Sequence, residues 1–470
     1  MSETEIEITS VHDTSLNDQH MKDADADTNA NTGIDDNTNN NGYENTQFDE
    51  SEEPTQAEIN YKTWKKNAPM LYQYIQTSSQ VWPSLTIQWF PDVDNHSPDS
   101  TNQRLLLGTY SSGFNKFESL SIYQLKLPHA ITTNTISETL SMDTDFNPEK
   151  NEFVYSQHTD KFKNGFNLMQ RIPHKGDINK AKYMPQNPNL IATATNLGDL
   201  LVFDRTKKPN NFDESTISTT TKQYEDIRLK FHTADTWGLD WNGQLEGELV
   251  SGSNDGLLAL WDITKIEKIT AQGRQLKPIL ERPLHDYSIN CVEYNPSNSH
   301  LVGSVGDDKM FKMTDLRQPS SSSKQETLSY KHDSKLNVVN FNSFNPFGLA
   351  MGDEAGQLSL FDLRSLQKPI IQVNKAHEDS ITQLKWNPEL KSTLLSCSLD
   401  GSVKLWDFAK SGNETANGDD QIQNQLIFKH GGHLHGVNDA DWNPNDCHMV
   451  ASCSDDNTVQ IWKPTKSVFM

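Results

Sequence analysis

Cysteine is scarce in this chain, basic residues are outnumbered, and no long apolar run occurs. Four cysteines stand among 470 residues: Cys291, Cys397, Cys447 and Cys453. No two of them have CxxC or finger-like spacing, so no metal site is expected. Cys397 and Cys453 fall in expected strands, where a free thiol packs as a small apolar group. That usage fits a reducing compartment better than secretion. No stretch approaches the ~18 apolar residues of a membrane helix, and the N-terminus lacks the apolar core of a signal peptide. The chain therefore reads as soluble. Also missing are GxxxxGK[ST], HExxH, GxSxG and an EF-hand loop. These gaps leave no catalytic residue and no cofactor to nominate, and the expectation is a binding protein rather than an enzyme.

The charge is uneven. Of 64 acidic and 41 basic residues, the first 60 positions hold 16 acids and one lysine, a balance of −15. The other 410 positions carry −8. Residues 1–53, rich in Asp, Asn, Thr and Glu, cannot bury enough apolar surface to offset chain entropy and read as a disordered acidic tail. The acidic body shows no basic stripe, so direct nucleic-acid binding is not expected.

A helix is expected over 54–79. Thr55 and Glu58 fit a capping box, and Trp64, Ala68, Leu71 and Ile75 recur at helical spacing. Pro69 should kink or split this helix, with Asn67 as cap of a second segment.

From residue 174 one unit recurs. His174 to Asp204, His232 to Asp262, His285 to Asp315, His332 to Asp362, His377 to Asp407 and His433 to Lys463 all span the same interval. Within "HEDSITQLKWNPELKSTLLSCSLDGSVKLWD", period-2 alternation marks half-buried strands and Asp-Gly marks a tight hairpin. Four strands per unit and this length are the WD40 signature of a β-propeller. The pattern resembles the WD40 hydrogen-bonded tetrad of His, Ser or Thr, Asp and Trp. The resemblance assigns His232, Ser253, Asp255 and Trp261; His377, Ser398, Asp400 and Trp406; and His433, Ser454, Asp456 and Trp462. Ala355 replaces the turn Asp of the fourth unit, and Met313 and Phe361 replace Trp, so those units should rest more on packing. His430, the first histidine of "HGGH", is unexplained by the repeat. "LTIQWFP", "RLLLGTY" and "SLSIYQL" supply a seventh unit, at about 80–127. The expected fold is all-β: a seven-bladed WD40 β-propeller over 80–470 with an N-terminal α-helix. Which segment supplies the last outer strand is left open.

Residues 61–92, 179–209 and 427–464 resemble the retinoblastoma-associated, histone-binding WD40 family. "VFDRTKKP" and "FKHGGHLHGVND" are most similar to its fungal chromatin assembly factor 1 small subunits. The resemblance implies a nuclear protein, with the cytoplasm as a second location, that partners histone H4, H3–H4 and larger chromatin-complex subunits. Two other roles stay open: a non-catalytic targeting subunit of a type B histone acetyltransferase or a deacetylase complex, and a generic WD40 adaptor. In the family the first helix of H4 lies between the N-terminal helix and an inserted loop. That implies Met70, Leu71, Tyr74 and Ile75 on the helix side. On the side of the loop, 408–426, it implies Glu414, Asp419, Asp420, Leu426, Ile427 and Phe428. A basic histone H3 tail would meet Asp177, Asn179, Asp235, Trp237, Asp455 and Asn457 on the end face. Asn290 and Ser380 stand there where the family usually has Glu, so tail binding should be weaker than in relatives.

Overall fold

Strand residues of period 2 come in groups of four along the chain, and a computed structural model arranges them as a ring of seven sheets, antiparallel except for one short parallel edge strand, Gln275–Leu276. It describes residues 55–95, 100–115, 117–128, 146–147, 152–153, 166–210, 224–265, 275–319, 327–409 and 425–469. The acidic segment 1–53 lies outside these, as do Glu414, Asp419 and Asp420. The inner strands are Ile87–Asp94, Ile178–Met184, Thr236–Trp241, Ile289–Asn295, Leu336–Phe341, Ile381–Trp386 and Val437–Asn443. Each packs against the inner strands of its two neighbouring blades, around a central channel. Blade 1 extends beyond residue 127, because Phe166–His174 is its outer strand, paired with Glu118–Pro128.

The expected helix over 54–79 is two elements. Helix α1 is Gln56–Leu71, and its capping box forms: the Glu58 N–H donates to Thr55 Oγ1 and the Thr55 N–H to Glu58 Oε2. Pro69 neither splits nor ends it. Only two helical residues follow Pro69, so little helix depends on the donor it lacks. Asn67 is not a cap; its side chain donates to the Thr63 carbonyl within the helix. Strand β1, Tyr72–Ser79, follows without a linker and pairs antiparallel with Thr458–Pro464. It is the outer strand of blade 7, so the chain's first strand closes its last blade. Tyr, Ile and Thr suit a strand. Residues 72–76 are all buried, on both faces, so no alternation betrayed it.

The tetrads form with a different serine from the one expected. His232 Nε2 lies 2.8 Å from Ser251 Oγ, which also accepts from Trp261 Nε1. Ser396 does the same for His377 and Trp406, and Ser452 for His433 and Trp462. Ser253 and Ser398 instead accept the turn Asp N–H and donate to backbone carbonyls, as does Ser454. The two serines are two residues apart and share a strand face, so alternation alone cannot choose between them. The Asp members close on histidine Nδ1 from Asp255 and Asp400. In blade 7, Thr458 takes the hydrogen bond and Asp456 stands at 3.5 Å. Blade 5 does not fall back on packing alone, because Asp353 reaches His332 Nε2 at 3.0 Å in place of the serine.

A second polar system closes the ring. In every inner strand a polar residue precedes the terminal aromatic: Gln88, Lys182, Asp240, Glu293, Asn340, Lys385 and Asp441. Each side chain reaches the next blade. Gln88, Asp240, Glu293, Asn340 and Asp441 accept the backbone N–H of Tyr183, Tyr294, Phe341, Trp386 and Trp89. Lys182 and Lys385 instead pair with Asp240 and Asp441, at 2.9 and 2.7 Å. The circle is complete, and blade 7 is joined to blade 1 by Asp441. Sequence reasoning missed this belt, although its signal was present: a polar residue at the same offset in all seven first strands.

Candidate functional site

Two surfaces depart from the repeat. The first is α1 against blades 6 and 7. Trp64, Ala68 and Leu71 turn inward and pack on the cluster around Tyr72, Phe428, Val450 and Trp462. The Trp64 indole N–H donates to the Tyr72 hydroxyl at 2.8 Å, and that hydroxyl lies 2.7 Å from His430 Nδ1. Tyr72 thus accepts from Trp64 and shares a second hydrogen bond with His430, and the tautomer of the histidine sets the direction of that second bond. Burial drives the Tyr72 pKa up and the His430 pKa well below its ordinary value. The His430 ring stacks on Trp462 with centroids 4.5 Å apart. So His430 is a buried anchor for the helix.

On the opposite side of α1 lie Ile59, Thr63, Lys66 and Met70, at i, i+4, i+7 and i+11. Ile59 and Met70 are 42% and 45% exposed. Of the four residues implied on the helix side, Met70 is thus at the surface. Leu71 packs inward. Tyr74 and Ile75 are strand residues buried in two different interblade cores. They have no surface to offer a partner, which corrects their assignment. Across from α1, Leu426–His430 is the outer strand of blade 6. Phe428 is buried in the core, while Leu426 and Ile427 are half-buried and pack on separate clusters. Phe428 is thereby also withdrawn as a contact residue.

The second surface is one mouth of the channel, a cavity of about 340 Å³. A β-bulge begins each inner strand of blades 2–7, where pairing skips one residue. Bulges re-aim side chains. The skipped residues are Asn179, Trp237, Asn290, Asn337, Thr382 and Asn438, and all six line the mouth. Leu85 holds the place in blade 1, and Lys180, Ser380 and Gln383 add to the polar lining.

Of the residues implied for a basic tail, only Asn179 and Trp237 line the mouth. Asp177 is buried and holds the Asn196 side chain at 2.7 Å. Asp455 is exposed and accepts from Asn438. Asn457 is in a left-handed turn with φ 61°, its carbonyl taken by the Gln80 N–H. Deeper in the channel Lys180 pairs with Asp439 at 3.0 Å. Burial and the nearby Asp240 push Glu293 up to about 8. Around it and Asp439 stand Lys180, Lys182 and Lys385 together with Asp240 and Asp441.

Comparison with known proteins bears on both surfaces. Residues 60–129, which span most of α1, all of β1 and most of blade 1, match the family model of the histone-binding protein RBBP4 and its counterpart in the CAF1 complex. Residues 270–465 match the propeller of the nucleolar protein 10-like N-terminal domain. Over 423 residues the chain is 31% identical to histone acetyltransferase type B subunit 2 of Candida glabrata, covering 89% of this chain and 91% of that protein. With its helix-led, seven-bladed propeller, the chain belongs to the histone-binding WD40 family that includes RBBP4.

Proposed function

We propose that this protein is a non-catalytic histone chaperone subunit that holds H3–H4 through the first helix of H4 and serves nucleosome assembly in the nucleus. The observation that carries the reading is the match of residues 60–129 to a histone-binding family model, on the segment where α1 leaves Met70 exposed, with exposed Ile59 next to its start. An amphipathic helix laid on such a stripe gains by desolvating its apolar face. Glu414, Asp419 and Asp420 of the inserted segment complement basic histone side chains, and Leu426 and Ile427 border the same side. A basic H3 tail is held weakly, by Asp235 and Asp455 around the channel mouth.

The complex is proposed to be chromatin assembly factor 1, with this chain as its small subunit. A second reading is favoured by the relative named as a type B histone acetyltransferase subunit, in which this chain would present histones to a catalytic partner. Affinity purification of the full chain, with identification of copurifying subunits, separates the two. Recovery of H3–H4 with large assembly-factor subunits supports the first, and recovery with an acetyltransferase supports the second. A preparation that retains no H3–H4 contradicts both.

A further inference from the structure

Four asparagine amides at the channel mouth point the same way. Asn179 Nδ2 donates to the Thr236 carbonyl at 3.1 Å, and Asn290 Nδ2 to Leu336 at 3.0 Å. Asn337 Nδ2 reaches the Ile381 carbonyl at 3.1 Å, and Asn438 Nδ2 that of Ser84 at 3.2 Å. In each case the partner is a backbone carbonyl of the next blade. A carbonyl can only accept, so it dictates that the nitrogen faces it. The four Oδ1 atoms are therefore turned away from these bonds as acceptors. Donors are present as well. Ser380 Oγ accepts from Asn337 Nδ2 at 2.6 Å, which leaves its own proton to give. Lys180 Nζ spends one of its three hydrogens on Asp439. Apolar walls come from Leu85, Trp237 and Val338.

This lining suits a group that both donates and accepts, carries no charge and has an apolar stem. A cation fits poorly. Among the described residues no carboxylate lines the cavity while Lys180 does; Asp307 and Asp455 lie one hydrogen bond behind Asn290 and Asn438, and desolvating an ammonium with no direct counter-charge is costly. We propose that the channel mouth binds the secondary amide of an acetylated lysine side chain and selects it over unmodified lysine. The amide N–H would go to the asparagine oxygens, its carbonyl to Ser380 or Lys180, and the methyl and butyl carbons to Trp237 and Leu85. This site is on a different surface from α1 and stands whether or not the H4 groove is correctly assigned.

The test uses the full chain and end-blocked Gly-Gly-Lys-Gly-Gly peptides, unmodified and Nε-acetylated, in saturation-transfer NMR titrations to millimolar concentration. The acetylated peptide is expected to bind at least about tenfold more tightly, a difference of about 1.4 kcal/mol, with little dependence on salt. Trp237→Ala should abolish that binding. Ser380→Glu should reverse the preference, and both variants should keep the wild-type melting temperature and H4 binding. Equal or stronger binding of the unmodified peptide overturns the proposal. So does failure of both peptides to bind, or a preference that survives Trp237→Ala.

Discussion

Helix α1 and strand β1 are consecutive, joined without a linker, and opposite in character. Nearly all of α1 is at the surface, tied down by Trp64, Ala68 and Leu71. In β1 the first five residues are buried, and the strand completes blade 7. One half is presented and the other closes the ring. The lesson is that a partner can be gained or lost on α1 without disturbing the propeller, whereas β1 has no such freedom.

The largest expected effect breaks β1. Ile75→Asp places a carboxylate in the core beside Val450 and Trp462, at a cost of about 4 kcal/mol or more. Denaturant unfolding should show either that loss or failure to fold, and Tyr74→Asp should behave alike. Neither substitution is then a clean probe of histone binding.

Acid comes next, because it attacks the buried histidines. Burial lowers His174 to about 4 and also depresses His377 and His430. Such groups take up protons more readily when unfolded, so stability is full above pH ~6.5 and falls as the pH drops towards 4. By pH 5, His174 alone accounts for roughly 2 kcal/mol. Urea titrations at pH 7 and pH 5 measure the difference, and His174→Gln should flatten it.

A smaller effect is expected at the junction itself. Trp64→Phe keeps the ring packing but removes the donor to Tyr72, worth about 1 kcal/mol. Hydrogen exchange should quicken in α1 more than in β1. Equal changes in both would mean that the helix is part of the ring's cooperative unit.

The contrast also explains what was legible beforehand. Six repeats announced themselves because each needs the same histidine, hairpin and strand period. The capping box of α1 was readable, since it is written in Thr55 and Glu58 alone. Strand β1 was not, because Trp64, Ala68, Leu71 and Ile75 keep helical spacing across a boundary that pairing with blade 7 decides. The tetrad serine was not legible, since Ser251 and Ser253 share a strand face. The channel mouth was half visible: Asn179, Trp237, Asn290 and Ser380 are placed there by the resemblance. The roles of Asn337 and Asn438 depend on bulges and on carbonyls of the next blade, which lie far off in sequence.

The central claim is that α1 carries the histone on its outward stripe while β1 serves only the ring. A titration of labelled H4 first-helix peptide against the wild type and an Ile59→Asp, Met70→Asp double variant tests it most directly. The account predicts an unchanged melting temperature and at least a tenfold loss of affinity. Full affinity in a folded double variant would contradict it.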